Sequence, residues 1–172
     1  MTDSIPAGAS IRRTDASFEI QLERSIDHAI DTVWRMLTDS AELPRWLAPG
    51  EIEAVPGGRA RIDFGDSGAV VDSRVQVCEP PRRLVFSWSS GSDPERPVCW
   101  TLEPTSATRS LLRLTLQIPA DEDAAKAAAG WDSHLEMLLA ALEGVPIRFP
   151  VDHFLSRREA FRTLTPREAA SR

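Results

Sequence analysis

The sequence predicts an α+β domain: a curved antiparallel sheet of about six to seven strands wraps around a long C-terminal helix, and two short helices follow the first strand. Two observations predict this architecture. Apolar and polar residues alternate in short runs separated by turn residues, which is typical of antiparallel strands with one buried face. Helical spacing occurs near the start and at the end of the chain. The long final helix is therefore the element available to cover the apolar face of the sheet.

The chain of 172 residues divides into three segments. Residues 1–16 are polar and aperiodic, so we expect a disordered N-terminal tail. Residues 17–144 hold the predicted domain. Residues 145–172 form a C-terminal extension in which prolines precede a short helix. The extension carries three phenylalanines, too many to leave in water, so we expect it to pack on its own domain, closing one mouth of a cavity, or on a second subunit.

The first strand of the domain is followed by two predicted helices. Asp27 is a candidate N-cap for a helix that runs through Val33 and Leu37. A second, shorter helix is expected over residues 41–47, because Pro49 and Gly50 break the pattern directly afterwards. Both helices precede the remaining strands.

The strands that follow are joined by turns at Gly65–Gly68 and Pro80-Pro81. Their alternation places one set of side chains on a shared dry face. That set is Phe18, Ile20, Leu22, Ile62, Phe64, Val71, Ser73, Val75, Phe86, Trp88, Trp100, Leu112, Leu114 and Leu116. The final helix is expected to begin with Ala120-Asp121-Glu122-Asp123, whose acidic residues suit the positive end of the helix dipole. Its apolar stripe is formed by Trp131, Leu135, Leu138 and Leu142.

Composition excludes several classes of function. The formal net charge is -6 and no Lys/Arg-rich block occurs, which argues against nucleic-acid and membrane-surface binding. No stretch reaches the roughly 20 apolar residues of a membrane span, and the N-terminus lacks a secretory signal. We therefore expect a cytoplasmic protein. Cys78 and Cys99 have no metal or redox spacing, and neither do the three histidines, so no metal and no cofactor is expected.

A series of short motifs resembles one known family. In chain order they are Val33-Trp34, Leu37-Thr38-Asp39, Trp46-Leu47, Pro56-Gly57-Gly58-Arg59, Glu79-Pro80-Pro81-Arg82-Arg83-Leu84 with Phe86 and Trp88, Thr101-Leu102-Glu103-Pro104, and Gly130-Trp131 with the helix leucines. Their order and spacing resemble the helix-grip fold of the START and birch-pollen-allergen superfamily. More narrowly, they resemble its branch of activators of the heat-shock-protein-90 ATPase. The resemblance covers about residues 17–144, departs from the usual pattern at His28, and implies a cavity between sheet and long helix.

The candidate ligand-binding residues combine this implied cavity with the alternation of the strands. They are Trp46, Phe64, Ser73, Phe86, Trp88, Trp100, Trp131, His134 and Met137. The chain has five tryptophans and no tyrosine, so its large rings carry few polar tips. Such a lining suits a flat or apolar ligand. The alternative is that the same side chains fill the core and leave no space.

His134 is the one titratable residue expected near the cavity. A general base is usually oriented by a carboxylate, and none of the residues three or four positions from His134 supplies one. His134 is therefore either a hydrogen-bonded structural residue or, together with Ser73, a candidate for proton transfer. No catalytic residue is assigned beyond this candidate.

Three functions remain open from the sequence. The leading hypothesis is a carrier or sensor that binds a hydrophobic or aromatic small molecule and catalyses nothing itself. The second is a cyclase-like or hydrolase-like enzyme that acts on an aromatic polyketide-type substrate through His134. The third is a protein-interaction module, which the family resemblance implies, with a chaperone as a less favoured partner. A homodimer through the C-terminal extension is compatible with each of them.

Overall fold

The computed structural model describes residues 4–167, which form eight strands and three α-helices. The strands are β1 (Ser10–Arg13), β2 (Ser17–Ile26), β3 (Gly50–Ile52), β4 (Arg59–Asp63), β5 (Val70–Glu79), β6 (Arg83–Ser87), β7 (Pro97–Ser106) and β8 (Arg109–Pro119). The helices are α1 (Ile30–Thr38), α2 (Ala124–Leu142) and α3 (Val151–Leu164). None of the helices within residues 4–167 has the length and apolar character needed to cross a bilayer.

All strands join one sheet in the order β1-β2-β8-β7-β6-β5-β4-β3, and each neighbouring pair is antiparallel. The predicted α+β helix-grip architecture is therefore confirmed, with eight strands in place of six to seven. A register shift between Val75 and Val77 on β5 marks a bulge opposite β6. Bulges bend the strand that carries them, which favours the curvature of the sheet around α2.

The N-terminal segment differs from the disordered tail expected for residues 1–16. Ser10–Arg13 pairs with β2 and places Ile11 opposite Ile20. Ile11 is buried, and Arg12 forms an ion pair with Glu19 across the two strands. One apolar side chain in four residues gives no readable period, so the sequence does not reveal this strand. Residues 1–3, which belong to the same expectation, lie outside the described residues, as do residues 168–172 of the C-terminal extension.

The two predicted helices after the first long strand differ in detail from the expectation. α1 begins after Ala29, whose side chain cannot cap it, and the predicted cap Asp27 instead pairs with Arg109, 2.6 Å away. The second helix shortens to a 3₁₀ turn at Leu43–Arg45. Trp46 follows this turn, is buried, and donates its indole N–H to the backbone oxygen of Met36 at 2.7 Å. This hydrogen bond connects the turn to α1.

Helix α2 packs on the sheet along the predicted stripe, in which Trp131, Leu135 and Leu138 are buried. It begins at Ala124, later than the predicted start at Ala120, and Asp123 is its N-cap, whose side chain accepts a hydrogen bond from the backbone N–H of Lys126. The helix is also buried on a second face, because α3 packs against it. That second contact explains why small and polar residues outside the stripe are buried as well.

Asp132 is the most consequential of these additional buried residues. Its side chain is fully buried, and its carboxylate lies 2.6 Å from Arg24 of β2. From α3, His153 lies 2.7 Å and Arg157 lies 3.3 Å from the same carboxylate. Glu136 gives Arg24 a second, longer ion pair at 3.4 Å. One carboxylate therefore connects the sheet, α2 and the C-terminal helix.

Candidate ligand-binding cleft

A cleft of about 700 Å³ lies between the dry face of the sheet, the first turns of α2 and the start of α3. Small-molecule sites typically measure about 300 to 1,000 Å³, so the volume suits a ligand of ordinary size. Six aromatic side chains line the cleft. They are Phe64, Trp88, Trp131, His134, Phe149 and Phe154.

The sheet and α2 position four of these rings. Phe64 follows the last residue of β4, and Trp88 follows the last residue of β6. Trp131 and His134 are one turn apart on α2 and therefore share a face. The rings of Trp88 and Trp131 lie 4.6 Å apart at 72°, and those of Phe64 and Trp88 lie 6.0 Å apart. Such edge-to-face contacts add to the stability of the apolar packing.

The hairpin that carries Phe64 needs a glycine beside it. A side-chain carbon at Gly68 would lie 2.8 Å from the Phe64 side chain, closer than real contacts allow. Gly68 also lines the cleft, next to the ring. The turn at residues 65–68 therefore forms part of the cleft wall as well as closing the hairpin.

The C-terminal extension supplies the remaining wall. The Phe149 ring lies 5.4 Å from His134 and 5.7 Å from Phe154, measured between ring centroids. Phe161, farther along α3, is fully buried and anchors the helix. Sequence reasoning did not include Phe149 and Phe154 among the site residues. The available signal is the group of three phenylalanines in a polar extension, which indicates packing but not its partner.

The structure brings four of the nine candidate residues together at the cleft, and they are Phe64, Trp88, Trp131 and His134. Three others are buried beneath it, and they are Trp46, Phe86 and Trp100. The Trp100 ring lies 5.7 Å from Trp131 and 5.8 Å from Trp46, so an aromatic chain extends from the cleft into the core. Alternation along a strand identifies the dry face but not the depth at which each side chain lies.

Ser73 and Met137 do not line the cleft. The Ser73 hydroxyl donates to the backbone oxygen of Ser87 at 2.7 Å, across β5 and β6. Met137 is half-buried and packs against the core. Neither residue contacts His134 through any hydrogen bond described between residues 4 and 167, and the only polar partner of that histidine is a backbone group.

The His134 ring is oriented by that backbone group. Its Nδ1 lies 3.1 Å from the backbone oxygen of Trp46. A carbonyl oxygen only accepts, so the neutral ring carries its proton on Nδ1 and its lone pair on Nε2. Burial lowers the pKa of His134 below its ordinary 6.5, although the hydrogen bond to Trp46 acts in the opposite direction. At neutral pH the cleft therefore contains an uncharged imidazole.

The charged side chains on the rim include Lys126 and members of two ion pairs. Arg96 donates from Nε to Oε1 of Glu122 and from Nη2 to Oε2, each at 2.8 Å. These hydrogen bonds raise the pKa of Arg96. Asp123 accepts from the Lys126 backbone N–H and from Arg158, which together lower the pKa of its carboxyl group. Each pair places opposite charges side by side at the rim.

The model of the family described as "Activator of Hsp90 ATPase homolog 1-like protein" matches residues 27–143, more than half of the chain. The chain belongs to this family. The match confirms the resemblance found in the sequence. In this Activator of Hsp90 ATPase homolog 1-like chain, the segment that carries Phe149 and Phe154 lies beyond the matched residues. No curated protein matches the chain significantly.

Solved structures share its fold over most of its length. CalU16 from Micromonospora echinospora is 24% identical, with a TM-score of 0.73 over 91% of this chain and 94% of CalU16. DynU16, a protein in the dynemicin biosynthetic locus, is 33% identical, with a TM-score of 0.65 over 74% of this chain and 48% of DynU16. The Aha1 dimer from Colwellia psychrerythraea is 20% identical, with a TM-score of 0.63 over 73% of this chain and 96% of that one.

Proposed function

We propose that this protein binds a hydrophobic, aromatic small molecule in the cleft and does not transform it. The observation that carries the proposal is the continuous aromatic wall, in which Trp131 contacts Trp88 on one side and Trp100 on the other. Aromatic side chains favour edge-to-face and offset contacts with further rings. A flat ligand inserted among Phe64, Trp88 and Phe149 would extend this arrangement.

The affinity expected from burial alone is modest. A bicyclic aromatic ring that buries roughly 200 Å² at about 25 cal/mol per Å² gains about 5 kcal/mol. That free energy corresponds to a Kd on the order of 0.1 mM. Larger ligands that fill more of the cleft would bind more tightly. Titrations with small ring compounds should therefore cover the micromolar to millimolar range.

A structural neighbour adds support for a small-molecule ligand. DynU16, at 33% identity over the aligned part, is described as a protein in a biosynthetic locus. The presence of a related fold in such a locus is compatible with a role in handling a small organic molecule. The aromatic lining of this chain supports the same class of ligand independently of that neighbour.

Quenching of tryptophan fluorescence by 2-methoxynaphthalene tests the proposal. Saturable quenching is expected for the wild type, because Trp88 and Trp131 line the cleft. Trp88→Leu should weaken binding several-fold, since it removes one wall. Trp34→Leu is the matched control, because Trp34 is a half-buried tryptophan on α1 that does not line the cleft. Equal weakening by both substitutions, or quenching that does not saturate, would argue against ligand binding at this place.

A second candidate function, a cyclase-like or hydrolase-like enzyme, is favoured by one observation. His134 offers an unprotonated Nε2 in the cleft, as a general base requires. Native mass spectrometry of protein purified from its own cells would identify a retained molecule. That molecule, added back to the wild type and to His134→Phe, should be recovered unchanged from a carrier. Conversion by the wild type alone would establish the enzyme instead.

A further inference from the structure

The aromatic wall of the cleft contains one nitrogen that is free to accept a hydrogen bond. Within residues 4–167, the buried side-chain nitrogen and oxygen atoms that make no hydrogen bond are Nε of Arg157 and Nε of Arg158. Nε2 of His134 is not among them, although no hydrogen bond to it is formed within that range. It is therefore accessible, and His134 is one of the residues that line the cleft.

The chemistry of this nitrogen follows from the other edge of the ring. Because Nδ1–H donates to the Trp46 carbonyl, Nε2 of the neutral ring carries a lone pair and no proton. Phe64, Trp131 and Phe149 surround the ring at centroid distances of 5.4 to 6.2 Å. Phenylalanine has no polar atom and tryptophan only donates, so His134 is the one acceptor among the six rings.

We infer that the ligand is a hydroxylated aromatic molecule whose phenolic O–H donates to Nε2 of His134, an inference that rests on the function proposed above. The ring of such a ligand would occupy the space between Trp88, Phe64 and Phe149. Its hydroxyl group would then meet the acceptor that the Trp46 carbonyl holds in place. The ligand class is thereby narrowed from aromatic compounds in general to phenols.

Two other kinds of polar ligand fit this nitrogen less well. A carboxylate or phenolate would bring an acceptor against an acceptor, unless His134 were protonated. Burial opposes that protonation. An ammonium group would donate to Nε2, but transfer of a full charge from water into an apolar site costs far more than transfer of a hydroxyl group. A neutral O–H donor satisfies Nε2 at the lowest desolvation cost.

The test compares two probes that differ in the hydroxyl hydrogen. 2-Naphthol can donate to Nε2, whereas 2-methoxynaphthalene cannot and is the more apolar of the two. Without the hydrogen bond the ether should bind at least as tightly. With it, 2-naphthol should bind the wild type about fivefold more tightly, as expected for one neutral hydrogen bond.

A substitution at the acceptor completes the test. His134→Phe keeps an aromatic ring but removes Nε2, so it should abolish the preference for 2-naphthol. His28→Phe is the matched control, because His28 pairs with Glu143 and does not line the cleft. It should leave the preference unchanged. If His134→Phe fails to fold, as judged by its melting curve, the wild-type comparison of the two probes still tests the phenol assignment, and a stronger affinity for the ether would overturn it.

The outcomes separate this inference from the function on which it rests. Saturable binding of both probes with equal or stronger affinity for the ether would overturn the phenol assignment and leave ligand binding standing. Absence of saturable binding by either probe would overturn both. A naphthol preference that persists in His134→Phe would assign the hydrogen bond to another acceptor and overturn the role given to His134.

Discussion

Substitution of Asp132 by asparagine should destabilise the protein strongly. The carboxylate is fully buried, and the two arginines that contact it, Arg24 and Arg157, expose 11% and 17% of their side chains. Removal of one partner from a buried ion pair typically costs about 3 to 5 kcal/mol, because the remaining charge stays buried. The lower end applies here, since asparagine still accepts a hydrogen bond and Arg24 keeps its contact with Glu136. For a chain of this size, about 3 kcal/mol lowers the melting temperature by about 6 to 12 °C.

Thermal unfolding followed by circular dichroism at neutral pH measures this effect. Asp27→Asn is the matched control, because Asp27 forms a 2.6 Å ion pair with Arg109 that is mostly exposed. Exposed pairs contribute little, so this control should shift the melting temperature by less than about 2 °C. Comparable small shifts for both substitutions would refute the reasoning. They would mean that the charge of Asp132 is not needed to hold α3 on the domain.

Three further predictions concern His134, Trp46 and the extension. Below the ordinary histidine pKa of 6.5, the unfolded state binds a proton at His134 that burial disfavours in the folded state. The free energy of unfolding should therefore decrease as the pH is lowered below 6.5, and it should decrease less in His134→Phe. Parallel pH profiles of the free energy of unfolding would contradict this. Trp46→Phe removes a buried N–H donor and leaves the Met36 carbonyl unpaired, which should cost about 1 to 3 kcal/mol in chemical denaturation, whereas Trp34→Phe should cost less. Deletion of residues 146–172 should lower the melting temperature or, where the extension joins two copies, halve the mass in solution. An unchanged melting curve together with an unchanged mass would count against packing of the extension.

The sequence predicts those parts of the fold in which a long pattern repeats. The alternation through Leu112, Leu114 and Leu116 and the helical spacing of Trp131 and Leu135 predict β8 and α2, and both are present. The short edge strands β1 and β3 were not predicted, since three or four residues give no period to read. Pairing with a neighbouring strand stabilises them, and local sequence does not encode that neighbour.

Less of the candidate site than of the fold could be predicted from the sequence. Strand alternation shows that Trp88 and Trp100 share a face, but whether a side chain reaches the cleft or the core depends on the curvature of the sheet. The burial of Asp132 depends on packing of the next helix, α3, and the sequence pattern does not show which face of α2 that helix covers. The Trp46 carbonyl that orients His134 belongs to the backbone 88 residues away, so it cannot be predicted from a side-chain pattern.

Two of the six aromatic side chains that line the cleft, Phe149 and Phe154, lie beyond the residues that the family model matches. Relatives with the same fold but a different C-terminal segment would have a different wall at this side of the cleft. Under the proposed function, substitutions in the C-terminal extension would therefore change ligand selectivity without altering the residues that the family model matches.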